Sequence, residues 1–185
     1  MKWHLHWLLG LAFIWGLSEA TIFFIVPDVI ISLVALKYGV RGGAFACAAS
    51  VVGAVLGGVL IYLWGARDIN AARNFFDLLP AIAPTTIARA SGEMVGPAFG
   101  LSMLQGSMTG VPFKLYASEA GAAGQSLLAF ILLTPLVRLP RFLIAATGAA
   151  VARRWAPHIL QAHKFKLLAA FWVIFYALYW SFAPS

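Results

Sequence analysis

Long apolar runs separated by short polar intervals dominate the sequence. The apolar runs are residues 5–36, 43–65, 97–123, 125–151 and 165–183. About 20 apolar residues span the hydrocarbon core of a bilayer, so the pattern predicts several membrane segments. The long polar interval, 66–96, carries charges of both signs among scattered apolar residues. It predicts an extramembrane loop with one or two short amphipathic helices.

The first and third apolar runs are interrupted by turn signals. Pro27–Asp28 interrupts the first run, and the stretch from Thr109 to Pro112, which includes Gly110, interrupts the third. Each run is too long for one crossing and too short for two. This predicts two re-entrant hairpins, each entering and leaving the membrane on one side. Irregular backbone at that depth is tolerated only where protein or a water-filled cavity surrounds it.

The two halves of the chain resemble each other weakly. Three residues recur 85 positions later: Pro27, Gly39 and Phe45 as Pro112, Gly124 and Phe130. In both halves a hairpin precedes a full transmembrane helix, so the order predicts an inverted repeat, an arrangement in which transporters place a site near the bilayer midplane. Chance agreement of three positions stays an alternative. A C-terminal transmembrane helix at 165–183 completes one all-α integral membrane domain, 1–185.

Composition supports a membrane protein. Of the 185 residues, 62% are hydrophobic and 10% charged, and the mean hydropathy is +0.90. A soluble domain carries about 25% charged residues. The net charge of +7 comes without a basic face interleaved with aromatic residues, so we expect no nucleic-acid partner. The single cysteine, Cys47, excludes an intrachain disulfide.

The basic residues favour a cytoplasmic N-terminus. In that orientation seven of them lie inside and three outside, which fits the positive-inside rule: Lys2, Lys37, Arg41, Arg153, Arg154, Lys164 and Lys166 inside, and Arg67, Arg73 and Arg89 outside. Residues 5–17 followed by Ser-Glu-Ala are similar to a signal peptide with a cleavage site. Because hydrophobicity continues through 21–26, we expect this segment, with Glu19, to stay in the protein.

Two arginines, Arg138 and Arg141, lie near the middle of the fourth run with Pro140 between them. Residues three apart project from one helix face, and Pro140 adds a kink. An arginine at the centre of a membrane helix costs about 2.5–3.5 kcal/mol, so both side chains need a polar cavity, a carboxylate or an anionic ligand. Two interpretations stay open. One is a structural salt bridge to Glu19 or Asp28, and the other is a phosphate site, since guanidinium groups match phosphate oxygens.

Three carboxylates lie within the apolar runs: Glu19, Asp28 and Glu119. An isolated buried carboxyl can exchange protons near neutral pH, whereas a neighbouring arginine keeps it ionised. Glu19 and Asp28 are therefore candidates for proton coupling, with simple counter-ions as the alternative. Glu119 follows the second turn. It could equally lie at the membrane interface, in which case it would have no functional role.

The remaining motifs predict packing rather than chemistry. Gly53 and Gly57 form a small-xxx-small face that lets helices approach closely. The histidine pairs lack supporting carboxylates or cysteines, so we expect no metal site and no cofactor. No arrangement of nucleophile and base stands out, and we expect no enzyme.

Four stretches together resemble the DedA/VTT superfamily, whose members are also described as SNARE-associated. They are EATIFFIVPDVIISLVAL, GAVLGGVLIYLWGA, TGVPFKLYASEAG and VRLPRFLIAATG, in the right order over about residues 15–150. The resemblance implies two re-entrant hairpins facing one another, with acidic residues in the first repeat and basic residues in the second. It also implies lipid transport in a membrane such as the bacterial inner membrane: scrambling of phospholipids, or proton-driven return of undecaprenyl phosphate. Glu19 and Asp28 match the acids of the family.

The chain departs from the family at the second turn. Gln105 and Lys114 stand where bacterial members typically carry arginines, which puts specificity for undecaprenyl phosphate in doubt more than lipid handling. We expect a lipid flippase or scramblase whose phosphate headgroup site is Arg138, Arg141 and Lys114. The alternatives are a proton-coupled transporter or channel for a small solute and a non-transporting membrane scaffold. Membrane lipids are the expected partners, and a homo-oligomer is left open.

Overall fold

The computed structural model describes residues 4–79, 82–155 and 157–182, and these residues form helices joined by short turns, without strands. The predicted all-α class is confirmed. The helices are α1 Leu5–Thr21, α2 Asp28–Arg67, α3 Ile69–Asp77, α4 Pro84–Met94, α5 Phe99–Thr109, α6 Phe113–Ala122, α7 Leu127–Trp155 and α8 Pro157–Phe182.

Helix α2 reverses direction at Gly39. The backbone there has φ 75° and ψ −166°, a conformation that residues with a Cβ rarely adopt. A Cβ built on Gly43 would lie 2.9 Å from the Cβ of Ala35, although eight residues of straight helix separate two positions by about 12 Å. The helix therefore consists of two arms, α2a (28–38) and α2b (40–67), folded back on each other.

Helix α1 and arm α2a form a first hairpin on the surface of α2b. The hydroxyl of Ser50 donates a hydrogen bond to the carbonyl of Ala12 at 3.1 Å, and Gly57 lies against the carbonyl of Leu17. Residue numbers rise together along the two helices, so α1 and α2b run parallel. Because α2a runs back along α2b, it is antiparallel to α1, and residues 22–27 close the hairpin.

Helices α5 and α6 form a second hairpin, closed by residues 110–112. A Cβ on Gly65 would overlap the backbone of Ser118, and one on Gly121 would overlap the backbone of Tyr62. Helix α6 is therefore held against the C-terminal part of α2b at backbone-to-backbone distance. Glycine gives two helices this close approach because it has no side chain to separate them.

Helix α7 runs antiparallel to α2b through the centre of the fold. Near one end Gly43 lies against Ala146, and towards the other Gly58 lies against the ring of Phe130. The two short helices α3 and α4 fall within the interval 66–96. Helix α8 packs along the outside against α7 and α2.

Among the described residues, two helices, α2 and α7, are long and apolar enough to cross a bilayer. Both also expose apolar rows. Leu128, Leu132 and Leu136 recur every fourth residue on α7 and are all more than 60% exposed. Soluble monomers rarely expose contiguous apolar patches of this kind, so α2 and α7 are candidate membrane-spanning helices.

Two of the three repeated sequence positions lie at similar places in the fold. Pro27 is the N-cap of α2 and Pro112 is the N-cap of α6. Gly39 ends α2a and Gly124 follows α6, and both have a left-handed φ, 75° and 67°. The third pair differs in burial, since Phe45 is 59% exposed and Phe130 is fully buried.

Replacing Gly53 by alanine should destabilise the fold. A Cβ at this position would overlap the carbonyl oxygen of Phe13, so α1 would have to move away from α2b. Gly10→Ala is the matched control, because no atom lies within 4 Å of its added Cβ and helix propensity favours alanine by about 1 kcal/mol. Thermal unfolding in detergent should give a lower midpoint for Gly53→Ala only. Equal midpoints would contradict the close contact.

Candidate functional site

Arg138 forms a buried ion pair with Glu19. Both side chains are less than 10% exposed, and the guanidinium faces the carboxylate through Nη2 to Oε2 and, at 3.4 Å, Nη1 to Oε1. The rings of Phe113 and Phe142 each lie 5.0 Å from the guanidinium carbon. The pair joins the centre of α7 to the end of α1 and has aromatic rings beside it, which attract a cation through their faces.

Arg141 forms the neighbouring ion pair with Asp28. Its Nη2 lies 2.9 Å from Oδ2 of the carboxylate. Asp28 is buried at the first turn of α2, whereas the Arg141 side chain remains 28% exposed. The two predicted arginines and the two predicted acids therefore meet in one cluster, and each arginine has a carboxylate partner.

Lys114 connects the turns of the two hairpins. It is buried, and its ammonium donates a hydrogen bond to the carbonyl of Phe23 at 2.8 Å. Phe23 belongs to the turn 22–27, and Lys114 follows the turn 110–112. The two turns therefore face each other within the fold, beside the paired arginines.

A cavity of about 500 Å³ lies between these groups and α8. We call it the first cavity. Its charged lining residues are Glu19, Lys114, Arg138 and Arg141, three cations and one carboxylate. With Asp28, the partner of Arg141, the cluster has a formal excess of one positive charge. The other walls come from the two hairpin turns and from apolar and aromatic side chains, including Phe175, Tyr176 and Tyr179 of α8.

Two buried polar atoms beside the first cavity have no hydrogen-bond partner among the described residues. They are Nε of Arg138 and Oγ of Ser107, and both residues line the cavity. Buried polar groups without partners are rare in proteins. Both atoms are also inaccessible to solvent, so a bound molecule would reach them only if the surrounding side chains moved.

The predicted turn residues lie where helices begin or end, and the predicted kink residue lies within a helix. Pro27 and Pro112 precede α2 and α6, and Gly110, with φ 90°, ends α5. Pro140 lies inside α7, which continues through it, as it does through Pro135. Of these residues, Gly110 and Pro112 line the first cavity.

A second cavity of about 510 Å³ lies between α2a, α7 and α8. Its charged lining residues are Asp28, Arg141 and Lys164, and its remaining wall is mostly apolar. Trp172 of α8 donates from Nε1 to the hydroxyl of Ser32 at 3.1 Å, which holds α8 against α2a. Sequence reasoning missed α8 as a wall of both cavities, although its aromatic-rich composition was visible.

Glu119 is not part of the cluster. It is buried in a bidentate pair with Arg73, with Nε to Oε1 and Nη2 to Oε2 both at 2.7 Å, and Arg73 also donates to the hydroxyl of Ser91 at 2.9 Å. This pair ties α3 and α4 to the second hairpin. Sequence reasoning missed it because Arg73 lies 46 positions away in the polar interval.

A second polar network lies nearby on α4. Burial raises the pKa of Glu93, but hydrogen bonds from Arg89 and Tyr116 outweigh burial and hold that pKa below its ordinary value. The hydroxyl of Tyr116 donates to Glu93 at 2.6 Å. The carboxylate therefore stays ionised and fixes α4 on α6 at neutral pH.

Arg73→Ala should destabilise the fold much more than Arg89→Ala. The first change leaves the carboxylate of Glu119 buried without its charged partner, at a cost of about 1–3 kcal/mol. The second change breaks a partly exposed pair with Glu93 four residues on. Glu93 keeps the hydrogen bond from Tyr116, and pairs near the surface contribute little. Thermal unfolding of both variants in detergent checks this. A larger loss for Arg89→Ala would contradict the ranking.

In the described parts of the chain, histidine, cysteine and carboxylate side chains do not gather into a group that could hold a metal ion. Comparisons with protein-family models, curated proteins and solved structures find no match to this chain. The DedA/VTT resemblance therefore stays a prediction from the four sequence stretches.

Proposed function

We propose that the chain is a multi-pass integral membrane protein, of the DedA/VTT type and of the bacterial inner membrane, that moves phosphate-bearing lipids between leaflets. The observation that carries this proposal is the first cavity. It combines three cations with one carboxylate in largely apolar surroundings. A lipid headgroup needs polar contacts for its phosphate while its acyl chains remain in hydrocarbon, and this cavity provides both environments.

The two hairpins support this membrane arrangement. If α2b and α7 cross the bilayer, α1 with α2a and α5 with α6 are two re-entrant hairpins. The hydrogen bond from Lys114 to Phe23 supports an arrangement in which their turns face each other. The equivalent positions of Pro27 with Pro112 and of Gly39 with Gly124 support an inverted repeat. Transporters with such repeats commonly bind substrate at the interface of the repeats.

The headgroup would bind through Lys114, Arg138 and Arg141. Arginine presents paired N–H groups that match phosphate oxygens, and charge-assisted hydrogen bonds are roughly twice as strong as neutral ones. The Nε of Arg138 has no partner among the described residues but is itself buried, so a phosphate would reach it only after neighbouring side chains move; the ion pair with Glu19 would not have to break. A headgroup without its own cation is favoured, because an ammonium group would meet the same excess positive charge.

Glu19 and Asp28 would control the arginines. Each carboxylate neutralises one guanidinium in the observed arrangement. Protonation of either acid would remove that counter-charge and make the arginine available to phosphate. Proton coupling would then act through release of the arginines.

The test is lipid movement by purified protein in vesicles. Vesicles of phosphatidylcholine would carry a trace of fluorescent phosphatidylglycerol, and dithionite added outside would bleach only the probe that reaches the outer leaflet. We expect bleaching of the inner-leaflet probe to be faster with protein than in protein-free vesicles, and faster for labelled phosphatidylglycerol than for labelled phosphatidylcholine. Equal bleaching with and without protein would refute the proposal. An ion current without lipid movement would favour the small-solute transporter or channel.

Asp28→Asn should mimic the protonated acid. In the parent, lowering the pH neutralises Asp28, frees Arg141 and should accelerate lipid movement. Asn carries no charge at any pH, so the variant should be fast already at alkaline pH and should respond less to acid. The assay is the same, run over a range of pH. An unchanged pH response in the variant would assign the coupling to another group.

A membrane scaffold is the second candidate, favoured by the two ion pairs themselves. If Arg138 and Arg141 serve only to fix α7 on α1 and α2, then neutral replacement of both partners in a pair should leave function intact. Lipid movement predicts the opposite, because a neutral pair no longer holds phosphate. Replacing both Arg138 and Glu19 with glutamine separates these two roles.

A further inference from the structure

The two cavities follow one another along α7. The first touches Arg138, Arg141 and Ile144, whereas the second touches Arg141 and Ile144 and continues from Ala145 to Ala152. The residues that line the cavities are therefore ordered along the helix, with Arg141 and Ile144 common to both.

The two cavities also follow one another along α8, but here the second cavity comes first in chain order. The second cavity extends from Lys164 to Phe175, and the first from Phe175 to Tyr179. At about 1.5 Å per residue, Lys164 and Tyr179 lie roughly 22 Å apart along the helix. The hydrocarbon core of a bilayer is about 30 Å thick, so the two cavities together cover most of that depth.

Phe175 lies at the boundary of the two cavities and is held there by hydrogen bonds on both sides. Trp172, three residues before it, donates to Ser32 at 3.1 Å. Tyr176, the next residue, accepts from the backbone N–H of Val26 at 2.8 Å. These bonds fix α8 to arm α2a and to the first hairpin turn, and so hold Phe175 where it lines both cavities, with 42% of the residue exposed.

The charge of the second cavity also suits an anion. Arg141 and Lys164 face one carboxylate, Asp28, which leaves one excess positive charge. Lys164 is in none of the ion pairs of the described residues, and its ammonium lies 5.4 Å from the ring of Phe165. A phosphate group entering from that end would meet Lys164 first and Arg141 at the boundary.

We propose that the second cavity is the other half of the path of the lipid phosphate headgroup, with Phe175 as the partition and Lys164 as the binding cation at the far end. This inference rests on the proposed function. Arg141 contacts both halves, so it can hold the phosphate while the headgroup passes the ring. The acyl chains remain among the exposed apolar side chains of α7 and α8.

The test uses the bleaching assay with labelled phosphatidylglycerol. Phe175→Ala should raise the rate of lipid movement by about three-fold or more, because a smaller side chain lowers the barrier at the partition. Lys164→Gln should slow it. Ile174→Ala is the control, since Ile174 lies on the same helix, is exposed and lines neither cavity. A Phe175→Ala rate equal to that of the parent overturns the inference.

A labelling experiment tests the partition without lipid movement. Ala145 lines only the second cavity, and Ala145→Cys would be labelled by a membrane-impermeant thiol reagent in a Cys47→Ala background. Labelling should occur from the Lys164 side alone, and from both sides once Phe175→Ala is added. Labelling from both sides before that change overturns the partition. A parent that moves no lipid would instead refute the proposed function, whatever the labelling result.

Discussion

Arg138→Gln should destabilise the chain by about 3–5 kcal/mol, because it leaves the carboxylate of Glu19 buried without its charged partner. Adding Glu19→Gln should recover most of that loss, since replacing both members of a buried ion pair with neutral groups is often close to neutral. Both variants should move lipid at nearly the protein-free rate. Unfolding in detergent measures the first effect and the vesicle assay the second.

The double variant separates the two roles of this ion pair. If it is as stable as the parent but moves no lipid, Arg138 binds the headgroup. If it is stable and moves lipid normally, the pair only fixes α7 on α1, and the scaffold role is correct. Arg89→Gln is the control, because the side chain of Arg89 is 48% exposed and lines neither cavity.

The all-α class and the helical breaks could be predicted from sequence because they depend on local chemistry. Apolar runs of bilayer length predict helices, since helices satisfy their backbone hydrogen bonds internally. Pro27 and Pro112 stand at helix starts because proline lacks the N–H that a helix interior needs. Gly39 was visible only as a repeated position, and its left-handed backbone was not predicted.

The ion pairs could be proposed from sequence only as alternatives. A central arginine in a membrane helix requires a partner. Glu19 and Asp28 were candidates because they are carboxylates within an apolar run. The assignment of Arg138 to Glu19 and of Arg141 to Asp28 depends on how α1, α2a and α7 pack. That register is set by backbone contacts such as Gly16 against Ser50, which spacing along the chain does not reveal.

The remaining residues could not be found from sequence, because their roles depend on contacts between helices that are distant along the chain. Ser107 is an ordinary serine in a helix until its buried hydroxyl is seen without a partner beside the first cavity. Arg73 lies in the polar interval predicted as a solvated loop, and only the structure shows its bidentate contact with Glu119. Phe175 is one of several aromatic residues on α8 until two cavities are found to meet at its ring.

Lys114→Gln should slow lipid movement by about ten-fold or more while leaving the fold intact. Loss of a hydrogen bond to a charged group costs about 1.5–3 kcal/mol, and each 1.4 kcal/mol corresponds to about a factor of ten in rate. The fold should survive because the glutamine amide can still donate to the carbonyl of Phe23. No carboxylate of the described residues is paired with Lys114, so the change leaves no buried charge without its partner.

The control for Lys114 is another lysine of the chain. Lys166 is exposed on α8 and lines neither cavity, so Lys166→Gln should move lipid at the parent rate. Lys114→Arg keeps the charge and should retain much of the activity. If Lys114→Gln also keeps the parent rate, Lys114 only joins the two hairpin turns, and the headgroup site consists of Arg138 and Arg141 alone. If Lys114→Gln and Lys166→Gln slow lipid movement equally, the effect comes from the overall charge of the protein. That result would contradict the assignment of the first cavity as the headgroup site.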